Sequence, residues 1–285
     1  MAAEVSFQYD SQRGRRSVTV RYHREGSGSP LLLLHGIGHH WQAWQPVLPQ
    51  LAERHDVVAI DLSGFGSSPA LPTGVSYDLN SVVPMLGDLC TALGIRRPHV
   101  AGNSLGGLLA LELGRCGTAR SVTALSPAGF WKPWERRYAF AVLQSMRAGA
   151  RVMPPRTVER LASAPAGRAL LLGGIYARPT LRTPAEAVAE TRALRSATGF
   201  TPTLNSGRTV RFTGDVTGIP VTIGWGTRDR MLLPRQAERT LREMPRARLV
   251  RLPGCGHVPM NDAPQQVAET ILSTCAMAEE SPKAG

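Results

Sequence analysis

Three residues whose types could form a nucleophilic catalytic site each follow an apolar run of the sequence. The first is Ser104 in the pentapeptide G-N-S-L-G, which follows the strand-like residues 98–101 and precedes the helix-like residues 108–113. A G-x-S-x-G sequence between a strand and a helix is typical of a nucleophile elbow, a turn so sharp that it lifts the serine hydroxyl clear of the sheet. The same turn would place the Leu105 N–H at a helix N-terminus, where a developing oxyanion can be held.

Asp229 and His257 are the candidate acid and base. A serine hydroxyl is a poor nucleophile at neutral pH and needs a base, usually a histidine that a carboxylate holds. Asp229 follows the apolar run 221–223 within G-W-G-T-R-D-R, and His257 follows the run 249–252 within G-C-G-H-V-P. Because ligand-facing residues of an open α/β sheet lie beyond the carboxyl ends of its strands, we expect the three side chains to meet at one edge.

Both partner residues also have structural interpretations when each is taken alone. Asp229 could be a turn or helix N-terminal carboxylate, and His257 could bond a loop carbonyl. Asp215 and Asp262 are alternative acids, but Asp215 precedes its strand and Asp262 resembles the start of a helix. The order serine, aspartate, histidine, with each residue after a strand, favours the triad.

The loop after the apolar run 31–34 is the expected source of a second oxyanion donor. A glycine in this loop allows a tight turn, so the Ile37 N–H is the predicted donor, and the Ile37 side chain would line the pocket. His35, His39 and His40 suggest a metal site, but no carboxylate lies at ligand spacing from them. We therefore predict no metal and no other cofactor, and we expect His35 to brace the loop.

The composition is typical of a soluble globular protein. The 285 residues are 42% hydrophobic, no apolar run is long enough to span a bilayer, and the N-terminal residues lack the features of a signal peptide. The four cysteines show no paired spacing, which is typical of free thiols. We therefore expect a cytoplasmic protein with a small-molecule substrate, and the oligomeric state stays open.

A net charge of +12 raises nucleic-acid binding as an alternative. All but two of the 33 basic side chains, Lys132 and Lys283, are arginines, and no basic block is longer than two residues. A nucleic-acid-binding arm usually contains a dense basic run. The dispersed arginines instead indicate a solvated surface, so we predict no nucleic-acid partner.

Strand-like runs alternate with helix-like runs along most of the chain, which predicts an α/β fold with a mostly parallel sheet between helices. The strand-like runs are residues 5–8, 17–23, 31–34, 57–60, 98–101, 122–125, 221–223 and 249–252. The helix-like runs between them are residues 41–53, 78–93, 108–113, 235–244 and 264–274. Residues 130–218 break this alternation, with helix-like runs at 138–146, 156–162 and 184–197. We therefore predict a core of residues 1–129 and 219–285 and an inserted helical cap of residues 130–218.

These motifs together resemble the α/β-hydrolase family over nearly the whole chain outside the insertion. The matching motifs are His35-Gly36-Ile37-Gly38, Asp61-Leu62-Ser63-Gly64-Phe65-Gly66-Ser67-Ser68, Gly102-Asn103-Ser104-Leu105-Gly106-Gly107, Trp225-Gly226-Thr227-Arg228-Asp229 and Gly256-His257-Val258-Pro259. The resemblance implies an eight-stranded sheet with an antiparallel second strand and a mobile helical cap over the active site. It also implies that Ser104, Asp229 and His257 are nucleophile, acid and base.

The type of nucleophile at the elbow distinguishes the activities found within this family. Epoxide hydrolases and haloalkane dehalogenases of the family use an aspartate nucleophile, whereas this chain has Ser104. The sequence G-N-S-L-G-G resembles the elbow of hydrolases that cleave carbon–carbon bonds of ring-cleavage products. Many of those have an aromatic residue after the histidine, where this chain has Val258. Carboxylesterases and cofactor-free perhydrolases share most of the same motifs.

Hydrolysis of an ester or related acyl substrate through an acyl-serine is the predicted function. The alternatives are carbon–carbon bond hydrolysis of the meta-cleavage-product type, acyl transfer to another acceptor, and non-catalytic ligand binding on the same fold. Apolar and aromatic residues of the insertion favour a hydrophobic substrate. The predicted pocket residues are Trp131, Trp134, Phe140, Met146, Ile175 and Tyr176, together with Val258.

Overall fold

The structure, a computed structural model, describes residues 3–11 and 14–280 of the chain. Its eight strands form one sheet with the order β1-β2-β4-β3-β5-β6-β7-β8. They are β1 (Ala3–Ser11), β2 (Gly14–Glu25), β3 (Ser29–Leu34), β4 (His55–Ile60), β5 (His99–Asn103), β6 (Ser121–Leu125), β7 (Val221–Gly226) and β8 (Arg248–Leu252). Strand β2 is antiparallel to both β1 and β4, and all other neighbours are parallel. The predicted fold class is confirmed.

The central strands are apolar runs because helices cover the sheet on both sides. The last four residues of β3 and of β4 are fully buried. Outside the insertion the helices are α1 (Leu48–Ala52), α2 (Leu79–Ala92), α3 (Leu105–Arg115), α9 (Ala237–Glu243), α10 (Pro259–Asp262) and α11 (Pro264–Glu280). None of the helices in the described part of the chain combines the length and the apolar character that crossing a membrane requires.

Prolines lie in two of the predicted helices and have different effects in them. The helix-like run 41–53 divides into a 3-10 turn (Trp41–Trp44) and the short helix α1, because Pro46 supplies no N–H between them. Helix α2 instead starts at Leu79, after Asp78 caps it by accepting a hydrogen bond from the Ser81 N–H. It runs through Pro84, although a proline in a helix interior usually breaks or kinks the helix.

Five helices lie between β6 and β7, within the predicted insertion. They are α4 (Pro133–Val152), α5 (Pro155–Ser163), α6 (Pro165–Leu172), α7 (Pro184–Ser196) and α8 (Phe200–Ser206). Sequence reasoning missed α6 and α8. A single residue, Ala164, separates helix α6 from α5, and α6 contains a glycine. Helix α8 is rich in residues of low helix propensity.

The turn from β5 into α3 depends on close backbone contacts. A Cβ atom on Gly106 would lie 2.1 Å from the carbonyl oxygen of Leu34, at the end of the neighbouring strand β3. A Cβ atom on Gly102 would lie 2.0 Å from the carbonyl oxygen of Gly106. The first turn of α3 therefore packs directly on β3 and β5, which leaves no room for a side chain at either glycine.

Substitution of Gly106 by alanine should destabilise the fold despite the higher helix propensity of alanine. The new methyl group must displace the Leu34 carbonyl or the helix, and such overpacking costs about 1–3 kcal/mol. The matched control is Gly87→Ala in α2, where an added Cβ meets nothing within 4 Å. That change should stabilise the protein by about 0.5–1 kcal/mol. Urea unfolding of both variants tests the expectation, and equal stabilities would contradict it.

Candidate active site

Ser104 occupies a strained turn at the carboxyl end of β5. Its φ of 57° lies in the left-handed region, where a residue with a side chain is uncommon. Three backbone hydrogen bonds hold this conformation. The Ser104 N–H donates to the Leu125 carbonyl at 2.9 Å, and the N–H groups of Leu108 and Ala128 donate to the Ser104 carbonyl at 3.0 Å. The neighbouring strand and the helix therefore fix the serine from both sides.

Asp229 and His257 form a buried hydrogen-bonded pair in the loops after β7 and β8. The Asp229 Oδ2 atom lies 2.8 Å from the His257 Nδ1 atom. The other carboxylate oxygen, Oδ1, accepts hydrogen bonds from the Met231 and Leu232 N–H groups. Because the carboxylate accepts at Nδ1, the neutral imidazole carries its proton there and leaves Nε2 as the basic nitrogen.

The basic nitrogen of this pair is free to act on a neighbouring group. His257 Nε2 is buried and makes no hydrogen bond to any described residue. The Ser104 hydroxyl is therefore not bonded to it in this structure. Ser104 and His257 nevertheless line the same cavity. Hydrogen bonds between catalytic groups are often long before substrate binds and tighten in the complex.

Asn103 ties the serine turn to the histidine loop. Its side-chain amide donates to the His257 carbonyl at 2.9 Å and to the Leu125 carbonyl at 3.1 Å. Sequence reasoning did not single out this residue. The available signal was a polar amide at the end of an apolar strand, where burial without a partner is costly.

Asp262 attaches the insertion to the histidine loop. Its buried carboxylate accepts from the N–H groups of Ala177 and Gly256 with Oδ2 and from the Arg178 N–H with Oδ1. Within the described part of the chain, Asp262 makes no hydrogen bond to His257, and the carboxylate of the second alternative acid, Asp215, bonds only the N–H of Val216. Among the three candidate acids, Asp229 is the one that contacts the histidine.

The predicted oxyanion loop packs directly against the serine. A Cβ atom on Gly36 would lie 3.2 Å from Ser104 Cβ. Neither the Ile37 N–H nor the Leu105 N–H donates a hydrogen bond within the described ranges, residues 3–11 and 14–280. His35 braces this loop, since its Nδ1 donates to the Gly36 carbonyl at 2.7 Å and its Nε2 accepts from the Leu62 N–H at 3.0 Å.

Two cavities reach Ser104, a larger one of about 430 Å³ and a smaller one of about 70 Å³. Both are bounded by Ile37, Leu143 and Met231 as well as by the serine. Of the predicted pocket residues, Met146, Ile175 and Val258 line the larger cavity and Trp131 and Phe140 line the smaller one.

Trp134 and Tyr176 line neither cavity, which corrects the prediction for these two residues. Trp134 is 45% exposed and packs beneath the Arg235 guanidinium, 4.5 Å from its ring centroid. Tyr176 is buried behind the cavity wall and donates its hydroxyl hydrogen to Glu190. An aromatic side chain in a helical insertion packs on the protein surface or its interior as readily as on a ligand pocket.

One group of side chains in the described part of the chain has the types and spacing to hold a metal ion. It comprises His55, His99 and Cys275, whose donor atoms all lie within 4.8 Å of one another. The two histidines start β4 and β5, so the group lies at the opposite edge of the sheet from Ser104. His55 and His99 hydrogen-bond to the hydroxyls of Ser29 and Ser121.

The chain is similar to several known proteins. A family model described as the alpha/beta hydrolase family matches residues 31–270. An uncharacterized protein of Mycobacterium tuberculosis is 29% identical over 295 residues, covering 89% of this chain and 78% of that protein. An epoxide hydrolase of the same species is 32% identical over 187 residues, covering 64% of this chain and 87% of that protein. A thermophilic esterase from Thermogutta terrifontis has the same fold, with a TM-score of 0.73 at 20% identity over 98% of this chain and 99% of that one.

Replacing Asp262 by alanine should lower the free energy of unfolding by about 2–4 kcal/mol, because three backbone N–H groups lose their acceptor. The matched control is Asp215→Ala, which removes a carboxylate that bonds, among residues 3–11 and 14–280, only the N–H of the next residue. The control should change stability by less than about 0.5 kcal/mol. Urea unfolding measures both, and a similar loss in the two variants would contradict the role of Asp262.

His35 should make stability fall as the pH is lowered. Burial lowers the pKa of His35 to about 4, with Asp61 opposing that shift. In the unfolded chain a histidine has a pKa of about 6.5, so between those values the unfolded state binds a proton that the folded state does not. The free energy of unfolding should therefore fall between about pH 6.5 and pH 4, by up to about 1.4 kcal/mol per pH unit from this residue.

Urea unfolding at pH 7, 6 and 5 tests this expectation in the unaltered protein and in His35→Gln. The variant should lose part of the pH dependence because its side chain does not titrate. Parallel pH curves for the two proteins would contradict the assignment.

Proposed function

We propose that this chain, which belongs to the alpha/beta hydrolase family, is a serine hydrolase that cleaves an ester or related acyl bond of a small hydrophobic substrate. The observation that carries the proposal is the Asp229–His257 hydrogen bond of 2.8 Å, which leaves a basic nitrogen beside the cavity that Ser104 lines. A serine, a base and a carboxylate that orients the base are the parts that acyl transfer through a serine requires.

In the proposed reaction, His257 Nε2 takes the proton of the Ser104 hydroxyl as Oγ attacks the substrate carbonyl carbon. The carbonyl oxygen becomes an oxyanion, and the N–H groups of Ile37 and Leu105 are the proposed donors to it. Each such donor is worth about 2.7–4 kcal/mol in comparable sites. Asp229 holds the imidazole in position and stabilises its positive charge.

The second half of the cycle releases both products. The oxyanion collapses, the alcohol leaves with the proton from His257, and the acyl group remains on Ser104. Water then gives a proton to His257 and attacks the acyl carbon, and the acid leaves when the serine recovers that proton. Atoms and charges balance without a cofactor.

Two cavities meet at the serine, which supports an ester as the substrate. An ester places one group on each side of its carbonyl carbon, and each cavity could hold one of these groups. The larger cavity is bordered by apolar side chains such as Met146, Met153 and Leu171, and the smaller by Trp131 and Phe140. Burial of apolar substrate groups in such pockets supplies binding free energy of about 25 cal/mol per Å². We infer that residues 130–218 act as a cap, because they contribute to both cavities.

Ser104 also bears on the relatives that use other chemistry. One of the two Mycobacterium tuberculosis relatives is an epoxide hydrolase. Epoxide hydrolases of the family use an aspartate nucleophile. A serine at the same turn favours acyl chemistry. The G-N-S-L-G-G sequence keeps carbon–carbon bond hydrolysis as the second candidate, and product analysis separates it from ester hydrolysis.

Ser104→Ala should abolish turnover of p-nitrophenyl esters of short and long acids, with kcat at least about 10³-fold lower. Asp229→Asn should lower kcat by about 10³–10⁴-fold, because the imidazole loses the carboxylate that selects its tautomer. Initial rates with circular dichroism as a check on folding measure both effects.

Ser126→Ala is the matched control for Ser104→Ala. Ser126 is a second buried serine with a positive φ, 41°, at the end of the neighbouring strand β6. Its variant should keep normal turnover, since Ser126 lines neither cavity. Full activity in Ser104→Ala would contradict the proposed function. Acylation of Ser104 in the unaltered protein without product release would instead indicate an acyltransferase or a ligand receptor.

A further inference from the structure

We infer that the edge of the sheet opposite the candidate active site binds a zinc ion, which joins the last helix, α11, to the amino ends of the central strands. The ligands that the geometry assigns are His55, His99, Cys275 and Glu279. The sequence-based expectation of no metal rested on spacing along the chain, and these residues are brought together only by the fold. The inference does not depend on the proposed function, since none of the four residues lines the cavities at Ser104.

The register of the sheet places the two histidines on either side of one strand. His55 is the first residue of β4 and His99 is the first residue of β5, and both strands pair with β3. Neighbouring strands are about 4.8 Å apart, so about 10 Å separates the two backbones. The ring centroids are only 5.3 Å apart, with 68° between the ring planes, so the rings converge across β3. Two imidazoles on one tetrahedral ion, with bonds of about 2.0 Å, have centroids about 5 Å apart.

Hydrogen bonds at Ser29 set the protonation of the first ring. His55 Nδ1 lies 2.9 Å from the Ser29 hydroxyl oxygen and 3.2 Å from the Ser29 carbonyl oxygen. The hydroxyl donates its own hydrogen to Glu279 Oε1, and a carbonyl can only accept, so Nδ1 carries the proton of the neutral ring. The lone pair is then on Nε2. A metal-binding histidine usually donates its other N–H to a neighbouring oxygen in this way.

His99 and Glu279 lie at the spacing of two ligands on one ion. The His99 Nδ1 atom is 2.7 Å from the Ser121 hydroxyl oxygen, and its Nε2 atom is 3.4 Å from Glu279 Oε1. A separation of 3.4 Å is long for a hydrogen bond between these groups. It matches the distance of about 3.4 Å between two ligand atoms bound at about 2.1 Å to a tetrahedral ion. With Nε2 on the ion, the ring proton of His99 lies on Nδ1 and is donated to Ser121.

Helix α11 supplies the other two ligands. Cys275 and Glu279 are four residues apart, so their side chains lie on the same face of the helix. Cys275 is 2% exposed, and its sulfur and the donor nitrogens of the two histidines all lie within 4.8 Å of one another. Zinc ligand atoms are about 3.3–3.8 Å apart, so side-chain rotations that move these atoms by about 1 Å close the site.

The chemistry of the ligands selects zinc over the hard cations. Thiolate and imidazole ligands suit Zn²⁺, whereas Mg²⁺ and Ca²⁺ prefer oxygen ligands. As the sulfur–metal bond forms, the Cys275 thiol gives its proton to solvent. One thiolate and one carboxylate then offset the two charges of the ion, which allows the group to stay buried.

The exposed side of the group gives an ion a route to it. The Glu279 side chain is 44% exposed, and it contacts the fully buried His99 ring. An ion bound first by this carboxylate therefore reaches the inner ligands directly. With four protein ligands the site is closed, which is typical of a structural zinc ion and not of a catalytic one.

Titration of the unaltered protein with Co²⁺, after a chelator has removed any bound metal, tests the inference without a substitution. Tetrahedral Co²⁺ with a thiolate ligand gives visible d–d bands and a sulfur-to-cobalt charge-transfer band in the near ultraviolet. Both should saturate at one ion per chain. Zn²⁺ should abolish them, with a dissociation constant below about 1 μM, and excess Mg²⁺ should not. A titration without the charge-transfer band would overturn the inference and leave the group a hydrogen-bonded network only.

Cys275→Ala tests which thiol binds the ion. The variant should lose the charge-transfer band, and its affinity for Zn²⁺ should fall by about tenfold or more. The matched control is Cys90→Ala in α2, which removes a thiol that is 3% exposed and should leave the band and the affinity unchanged. A charge-transfer band that persists in Cys275→Ala would overturn the assignment.

Glu279→Gln provides a test that does not alter a buried side chain. The amide is a poorer ligand than the carboxylate, so the affinity for Zn²⁺ should fall by about tenfold. Glu280→Gln is the matched control, since Glu280 is the next residue of α11 and is also exposed. Calorimetric titration with Zn²⁺ measures both variants, and equal affinities would overturn the role of Glu279.

Discussion

The parallel alignment of the central strands is the constraint on which the candidate site depends. Strands β3, β5, β6, β7 and β8 all run in one direction, so their carboxyl ends meet at one edge of the sheet. Ile37, Ser104, Asp229 and His257 each follow one of these ends. Residues far apart along the chain therefore come together, since Ile37, Ser104 and His257 line one cavity and Asp229 bonds His257. The missing side chains at Gly102 and Gly106 let α3 start close to β3, which brings Ser104 against the loop that contains Ile37.

Buried hydrogen bonds then orient the loops that the sheet brings together. Asn103 joins the serine turn to the histidine loop, and Asp262 joins that loop to the insertion. The backbone N–H groups of His257 and Val258 both donate to the Ile175 carbonyl, so the insertion contacts the base itself. Loops supply the chemistry in such folds, but their side chains can act only when the surrounding bonds hold them.

Much of this arrangement could be predicted from the sequence, because it depends on local patterns. Apolar runs located all eight strands, and the G-x-S-x-G sequence located the turn at Ser104. The division of the first helix at Pro46 had a local signal that sequence reasoning missed, whereas the roles of Asn103 and Asp262 could not be predicted, since they depend on tertiary contacts. The same holds for Trp134 and Tyr176, whose aromatic rings indicate burial or contact without indicating which surface they meet.

Covalent labelling tests the central claim most directly. A fluorophosphonate reacts with a serine that a neighbouring base activates, and peptide mass spectrometry identifies the residue that carries the label. Labelling should occur at Ser104 and should be lost in His257→Ala, since the variant lacks the base. A protein that stays unlabelled, or that carries the label elsewhere while Ser104 is unmodified, would contradict the account.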